Sequence, residues 1–202
     1  MLSVFSSLYA GNLMYYSSML KAEIVTIDLF ENFYKQSFRN RCSIASPNGI
    51  LNLVIPINRK SKSIIKEVKI DDSQNWRKIH WKSLESSYRS SPYFEFYEDG
   101  FHSIFFKQNC NYLFEFNHLI FQEVLKALKT EIEVTFTDSY ISENDSIYDF
   151  RTLIHPKIQL DNQLKELKYH QVFQEKQKFI PNLSILDLLF NEGPLAKQLL
   201  LQ

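Results

Sequence analysis

The stretch Leu2-Ser-Val-Phe-Ser-Ser-Leu-Tyr-Ala-Gly-Asn-Leu-Met-Tyr-Tyr-Ser-Ser-Met-Leu-Lys-Ala-Glu-Ile-Val-Thr-Ile-Asp28 decides how this chain folds. Its apolar run from Leu2 to Phe5 reads as a buried strand, Gly11 and Asn12 as a turn and helix cap, Leu13 to Lys21 as a helix, and Glu23 to Ile27 as a second strand. Strand, helix and strand in that order make a β-loop-α-β unit, the opening of an α/β fold. In open α/β sheets, ligands sit beyond the carboxyl ends of the strands. Here those ends are the Ser6 to Asn12 loop and the segment opening at Asp28, and both are polar.

Further along, Cys42 to Ala45 and Ile50 to Ile57 alternate in polarity around Pro47-Asn48-Gly49, whose Asn-Gly pair signals a hairpin turn. Ile64 to Ile70 reads as another strand. Helical spacing predicts helices over Gln74 to Ser90, with Asp72 and Ser73 as caps, then near Glu95 to Gln108 and over Asn111 to Lys129. Ile132 to Phe136 reads as a returning strand, and the polar Thr137 to Tyr148 stretch as a loop or lid. Near the end, Ser184 suits an N-cap with Asp187 as its capping-box partner, and Gly193 and Pro194 close one helix and open the next. The expected fold is α/β: a single mixed domain over residues 1–202, with a β-loop-α-β start, a β-hairpin and several packed helices.

The chain has 202 residues, enough to bury roughly 70% of its unfolded surface without disulfides or metals. Its 23 basic and 23 acidic residues cancel, which argues against a broad cationic face for nucleic acid. Four glycines, Gly11, Gly49, Gly100 and Gly193, supply no dinucleotide or P-loop fingerprint. Cys42 and Cys110 have no metal-ligand spacing and read as reduced, semi-buried thiols of a cytoplasmic protein, so no metal site is expected; beyond the missing nucleotide fingerprints the residues leave any cofactor open. Met1 to Leu20 lacks a basic leader and is broken by serines, and no run approaches the ~18 apolar residues of a membrane span.

Two groups stand out for chemistry. On the Gln74 to Ser90 helix, Trp76, His80, Ser83, Leu84 and Ser87 share one stripe, so His80 is either a core histidine satisfied by a carbonyl or a base. The segment Asp28 to Arg41 carries Tyr34, Lys35, Arg39, Asn40 and Arg41 just after a strand, where the three cations suit a phosphate or carboxylate; a solvated loop is the alternative. Asn117, on an apolar stripe, suits pinning a loop backbone. Tyr88 to Tyr97 is an aromatic cluster, core or sugar-stacking wall, and Arg151, His155 and Lys157 form a later polar set.

Five blocks in order, Tyr34-Lys-Gln-Ser-Phe-Arg-Asn-Arg41, His80 to Phe94, His155-Pro-Lys157, Gln171-Val-Phe173 and Ile180 to Gly193, resemble the WbqC-like family over nearly the whole chain. Relatives carry prolines after the first strand where this chain has Ser7-Leu-Tyr-Ala-Gly-Asn12; Tyr9 is kept and the prolines are not. Members are associated with bacterial surface-polysaccharide and O-antigen gene clusters. The resemblance therefore implies a cytoplasmic transferase modifying a sugar or nucleotide-sugar, with acyl or aminoacyl transfer as the suggested reaction. A non-catalytic sugar-binding or complex-organising protein of the same pathway is the alternative. The expected catalytic residues are His80 and Asp28. Tyr9, Tyr34, Lys35, Arg39, Asn40, Arg41, Tyr88, Lys157, Asn182 and Asn191 are expected to bind substrate, with the Tyr34 to Arg41 group sharing a pocket with the Ser6 to Asn12 loop.

Overall fold

A computed structural model describes residues 2–58, 63–142, 147–156 and 167–202, and elements are numbered among those. The opening stretch folds as read: β1 (Leu2–Ser6), α1 (Leu13–Lys21) and β2 (Ile24–Asp28). Asn12 caps α1, its side chain accepting from the Tyr15 amide at 3.0 Å. β3 (Arg41–Ser46) and β4 (Gly49–Val54) form the antiparallel hairpin, with Gly49 at φ +106°, where a side chain would be strained.

A small pair, β5 (Ile57–Asn58) with β6 (Lys69–Ile70), follows. Ile64 to Ile70 is thus not one strand. Its middle, Ile65–Glu67, is a 3₁₀ turn because the Ile65 and Lys66 amides donate to the Glu31 and Leu29 carbonyls at 3.0 and 2.9 Å. Three helices come next, α2 (Trp76–Tyr88), α3 (Phe94–Lys107) and α4 (Leu113–Ala127). Asp72 does not cap α2; its carboxylate accepts from the Trp76 indole at 2.7 Å.

The chain then returns through β7 (Val134–Phe136), β8 (Ile147–Asp149), α5 (Phe150–Leu153), α6 (Ile185–Glu192) and α7 (Ala196–Leu201). One four-stranded parallel sheet runs β7-β2-β1-β8. β2 and then β7 are added on one side of β1, and β8 on the other, so strand order reverses between β1 and β8. That is where α/β sheets place ligands. The chain is a mixed α/β fold, and among the described residues no helix is long and apolar enough to cross a membrane.

The core is rich in aromatic rings. Tyr88, Phe94 and Phe101 pack on Phe190 of α6 with ring centres 5.1 to 5.8 Å apart, so most of the Tyr88 to Tyr97 cluster is core; Phe96 remains exposed. Ser184 caps α6 by accepting from Leu186 at 3.3 Å, and it also donates to the Ala10 carbonyl at 2.7 Å. The Ile185 amide donates to Gly11 and the Leu13 amide to Leu183. The Ser6 to Asn12 loop is therefore sealed beneath α6, every residue of it buried.

Candidate functional site

All four parallel strands deliver a polar side chain at or just past their carboxyl ends: Ser6 from β1, Asp28 from β2, Thr137 after β7 and Asp149 from β8. Two buried arginines tie them together. Arg151 donates to Asp28 Oδ2 at 2.5 Å through Nη1 and to both Asp149 oxygens through Nε at 2.9 and 3.0 Å, and its Nη2 also pairs with Asp149. Arg39 donates through Nε to Glu31 Oε1 at 2.9 Å, pairs again through Nη2 with Glu31 Oε2, and gives Ser6 Oγ a bond of 2.8 Å. Asp28 Oδ1 accepts from the Phe30 amide at 2.8 Å and the Thr137 hydroxyl at 2.9 Å. Asn117 of α4 braces this ensemble, donating to the Arg39 carbonyl at 2.9 Å and to the Ser7 carbonyl at 3.4 Å.

Electrostatics follow from burial. Taking Asp149 out of water raises its pKa, but the Arg151 hydrogen bonds and charge outweigh that and hold it below the usual range. Burial lifts the Glu31 carboxyl above its usual value against the pull of Arg39, and neighbouring Asp28 adds to the lift. Three carboxylates thus share two guanidinium groups. Above them lie two exposed aromatic rings: Tyr34, 55% exposed, 5.1 Å from the Arg39 guanidinium, and Tyr140, 58% exposed, 5.0 Å from that of Arg151. Among the described residues no group of three or more His, Cys, Asp or Glu is arranged to hold a metal ion.

The cations expected to act together are split. Arg39 is 1% exposed and turns toward Ser6. Lys35, Asn40 and Arg41 instead line a separate groove of ≈ 340 Å³ floored by Phe33, Val54 and Ile57. There Arg41 donates to the Gln36 carbonyl at 3.0 Å, and Asn40 donates to the Ile55 carbonyl at 2.9 Å.

His80 lies elsewhere, 4% exposed between α2 and the Tyr9 loop. Its Nδ1 is 3.0 Å from the Tyr9 hydroxyl, and the Val54 carbonyl acts on the ring; assigning the ring proton to the side of that carbonyl makes Nδ1 the acceptor of the Tyr9 proton. Desolvation pulls the imidazole pKa down to about 4 although the Val54 carbonyl works the other way. Asp28 is also fully buried with both oxygens bonded, so both expected catalytic residues lie within the protein interior.

Asp187 does not complete a capping box. Its carboxylate accepts from the Tyr88 and Tyr169 hydroxyls at 2.6 Å each and from Gln171 at 3.3 Å, because those donors leave it no reason to reach the helix end. Asn182 accepts from the Met14 amide at 3.0 Å, and Asn191 donates to the Asp187 carbonyl at 2.7 Å. Tyr88, Asn182 and Asn191 accordingly brace the C-terminal helices, and Lys157 lies outside the described residues. Sequence reasoning passed over Glu31, Asp149 and Tyr140. The Asp149-x-Arg151 spacing was the available signal, since a capping Asp two residues before an arginine suits a bidentate pair.

Fold and site together define an α/β protein whose polar residues converge at the carboxyl edge of a parallel sheet beneath exposed tyrosines. The chain matches the model of the WbqC-like protein family over residues 7–159 and 144–199, and it belongs to that family. No curated protein and no solved structure matches it.

Proposed function

We propose that this chain is a cytoplasmic transferase that modifies a sugar, free or nucleotide-linked, in bacterial surface-polysaccharide or O-antigen biosynthesis, with its site at the carboxyl edge of the sheet. One observation carries the location: side chains from all four parallel strand ends meet in one buried ionic cluster, topped by two exposed tyrosines stacked on its arginines. Family membership supports the pathway. In this reading Tyr34 and Tyr140 offer faces to a sugar ring, and Asp28 acts as a positioning residue through Arg151. His80 positions the loop after β1 through Tyr9. The suggested chemistry moves an acyl or aminoacyl group from an activated carrier to a sugar hydroxyl or amine: the acyl–carrier bond breaks as the ester or amide bond forms, the carrier leaves with the electron pair, and the acceptor's proton passes to the released carrier or to solvent.

A second reading has a specific observation behind it. Because both Asp28 oxygens are bonded and His80 Nδ1 is committed to Tyr9 inside the core, the chain would serve as a sugar-binding or complex-organising protein of the same pathway. Incubation with a panel of nucleotide sugars and activated acyl donors, read by mass spectrometry, separates the two. A mass increase on a sugar that needs both partners supports transfer. Saturable sugar binding without any product supports the binding protein.

A further inference from the structure

A second cationic groove, with a lining of its own, flanks the edge of the sheet. It is a cleft of ≈ 910 Å³ between α4, the turn after it, the edge strand β7 and α7. Lys126, Lys129 and Lys197 line it against a single acid, Glu131, although the chain as a whole is neutral. Lys129 and Lys197 have no ion-pair partner among the described residues, and Lys126 meets only the Glu123 carboxylate at 3.4 Å on an exposed rim.

The backbone adds an independent sign. Lys129 stands at φ +49° directly after α4, with its amide donating to Lys126 and the Thr130 amide to Leu125, the closure in which glycine is favoured. A lysine there is conformationally costly, and the residue lines the cleft. The opposite wall is aromatic: Phe136 is exposed and meets the His118 ring edge-on at 5.1 Å. His118 Nδ1 is buried without a hydrogen-bond partner, so this atom is not offered to the cleft and the ring serves as apolar wall.

We propose that this cleft binds a phosphorylated ligand bearing a planar ring, of the nucleoside diphosphate type, with its phosphates on the three lysines and its ring against Phe136. The volume falls within the range of about 300–1,000 Å³ common for small-ligand pockets. The phosphates suit lysine point charges, and the ring suits an aromatic wall. This binding stands whether or not the chain modifies a sugar.

Titration calorimetry of the full chain with UDP, ADP and inorganic pyrophosphate tests it. Saturable binding of a nucleoside diphosphate is expected, at least tenfold tighter than pyrophosphate and weakening as salt rises. Lys129→Gly is the sharpest variant, since relief of the positive φ should raise the melting temperature by about 2–4 °C while affinity falls at least fivefold. Lys197→Ala and Phe136→Ala should each weaken UDP by a similar factor with the melting temperature little changed. No binding, equal affinity for pyrophosphate and UDP, or unchanged affinity in the stable Lys129→Gly variant would each overturn the proposal.

Discussion

Two buried polar regions of this molecule solve the same problem differently. At the carboxyl edge of the sheet, Asp28, Asp149 and Glu31 are matched by Arg151 and Arg39, charge against charge, with Tyr34 and Tyr140 exposed above. Beneath α6 and beside α2, Asp187 and His80 are held by neutral tyrosine hydroxyls from Tyr88, Tyr169 and Tyr9, all buried. Both regions are desolvated, but only the first is in contact with accessible aromatic surface at a strand-order reversal, so burial of a polar group by itself does not mark a site.

The largest effect should come from breaking the charged region. Arg151→Met leaves Asp28 and Asp149 without their cation, and urea unfolding should show a loss of about 3–5 kcal/mol. Adding Asp28→Asn to that variant should recover part of the loss, because one stranded charge is removed. Next comes the neutral region. Asp187→Ala strands two buried tyrosine hydroxyls and should cost about 2–4 kcal/mol. Asp187→Asn should cost less, lower the melting temperature, and leave sugar binding intact.

Acid sharpens the comparison. His80 has a pKa held down to about 4 by desolvation, so the stability it supports is complete above its unfolded value of about 6.5 and is lost as pH falls through 4. Its share across that window should be on the order of 3 kcal/mol, and His80→Gln should flatten the corresponding part of a stability-against-pH curve. Asp149 has the same sign at lower pH. Its depressed pKa contributes stability above its unfolded value of about 3.9 that disappears only below it, so Asp149→Asn should change the slope under pH 4 and leave the His80 window alone. The smallest stability effects belong to the exposed rings: Tyr34→Ala and Tyr140→Ala each remove one cation–π contact, at about 0.5–1 kcal/mol.

Local rules read the opening of this fold well. Asn12 capping α1 and the Asn48-Gly49 hairpin turn were both legible, because each depends on neighbours within a few residues. Asn117 also follows its reading as an amide that pins loop backbones. What local rules miss is distance along the chain. Arg151 meets Asp28 across 123 positions and Asp187 meets Tyr88 across 99, and helical or strand periodicity carries no information about either pairing. The same limit explains the three cations of the Tyr34 to Arg41 segment. Their spacing suggests one anion site, while Glu31 and Ser6 draw Arg39 inward and leave Lys35 and Arg41 on a different groove. β8, only three residues long at the sheet edge, overlaps the end of the polar Thr137 to Tyr148 stretch, whose composition predicts a loop.

The proposed sugar site is the tyrosine-topped carboxyl edge of the sheet. Saturation-transfer NMR tests it directly, because sugar-ring and base protons of a nucleotide sugar are resolved in one spectrum. With the Tyr34→Ala/Tyr140→Ala variant, transfer to the sugar protons should drop at least tenfold while the melting temperature falls by no more than about 4–8 °C, as two exposed cation–π contacts would allow. Undiminished transfer to the sugar protons in that folded variant would contradict it.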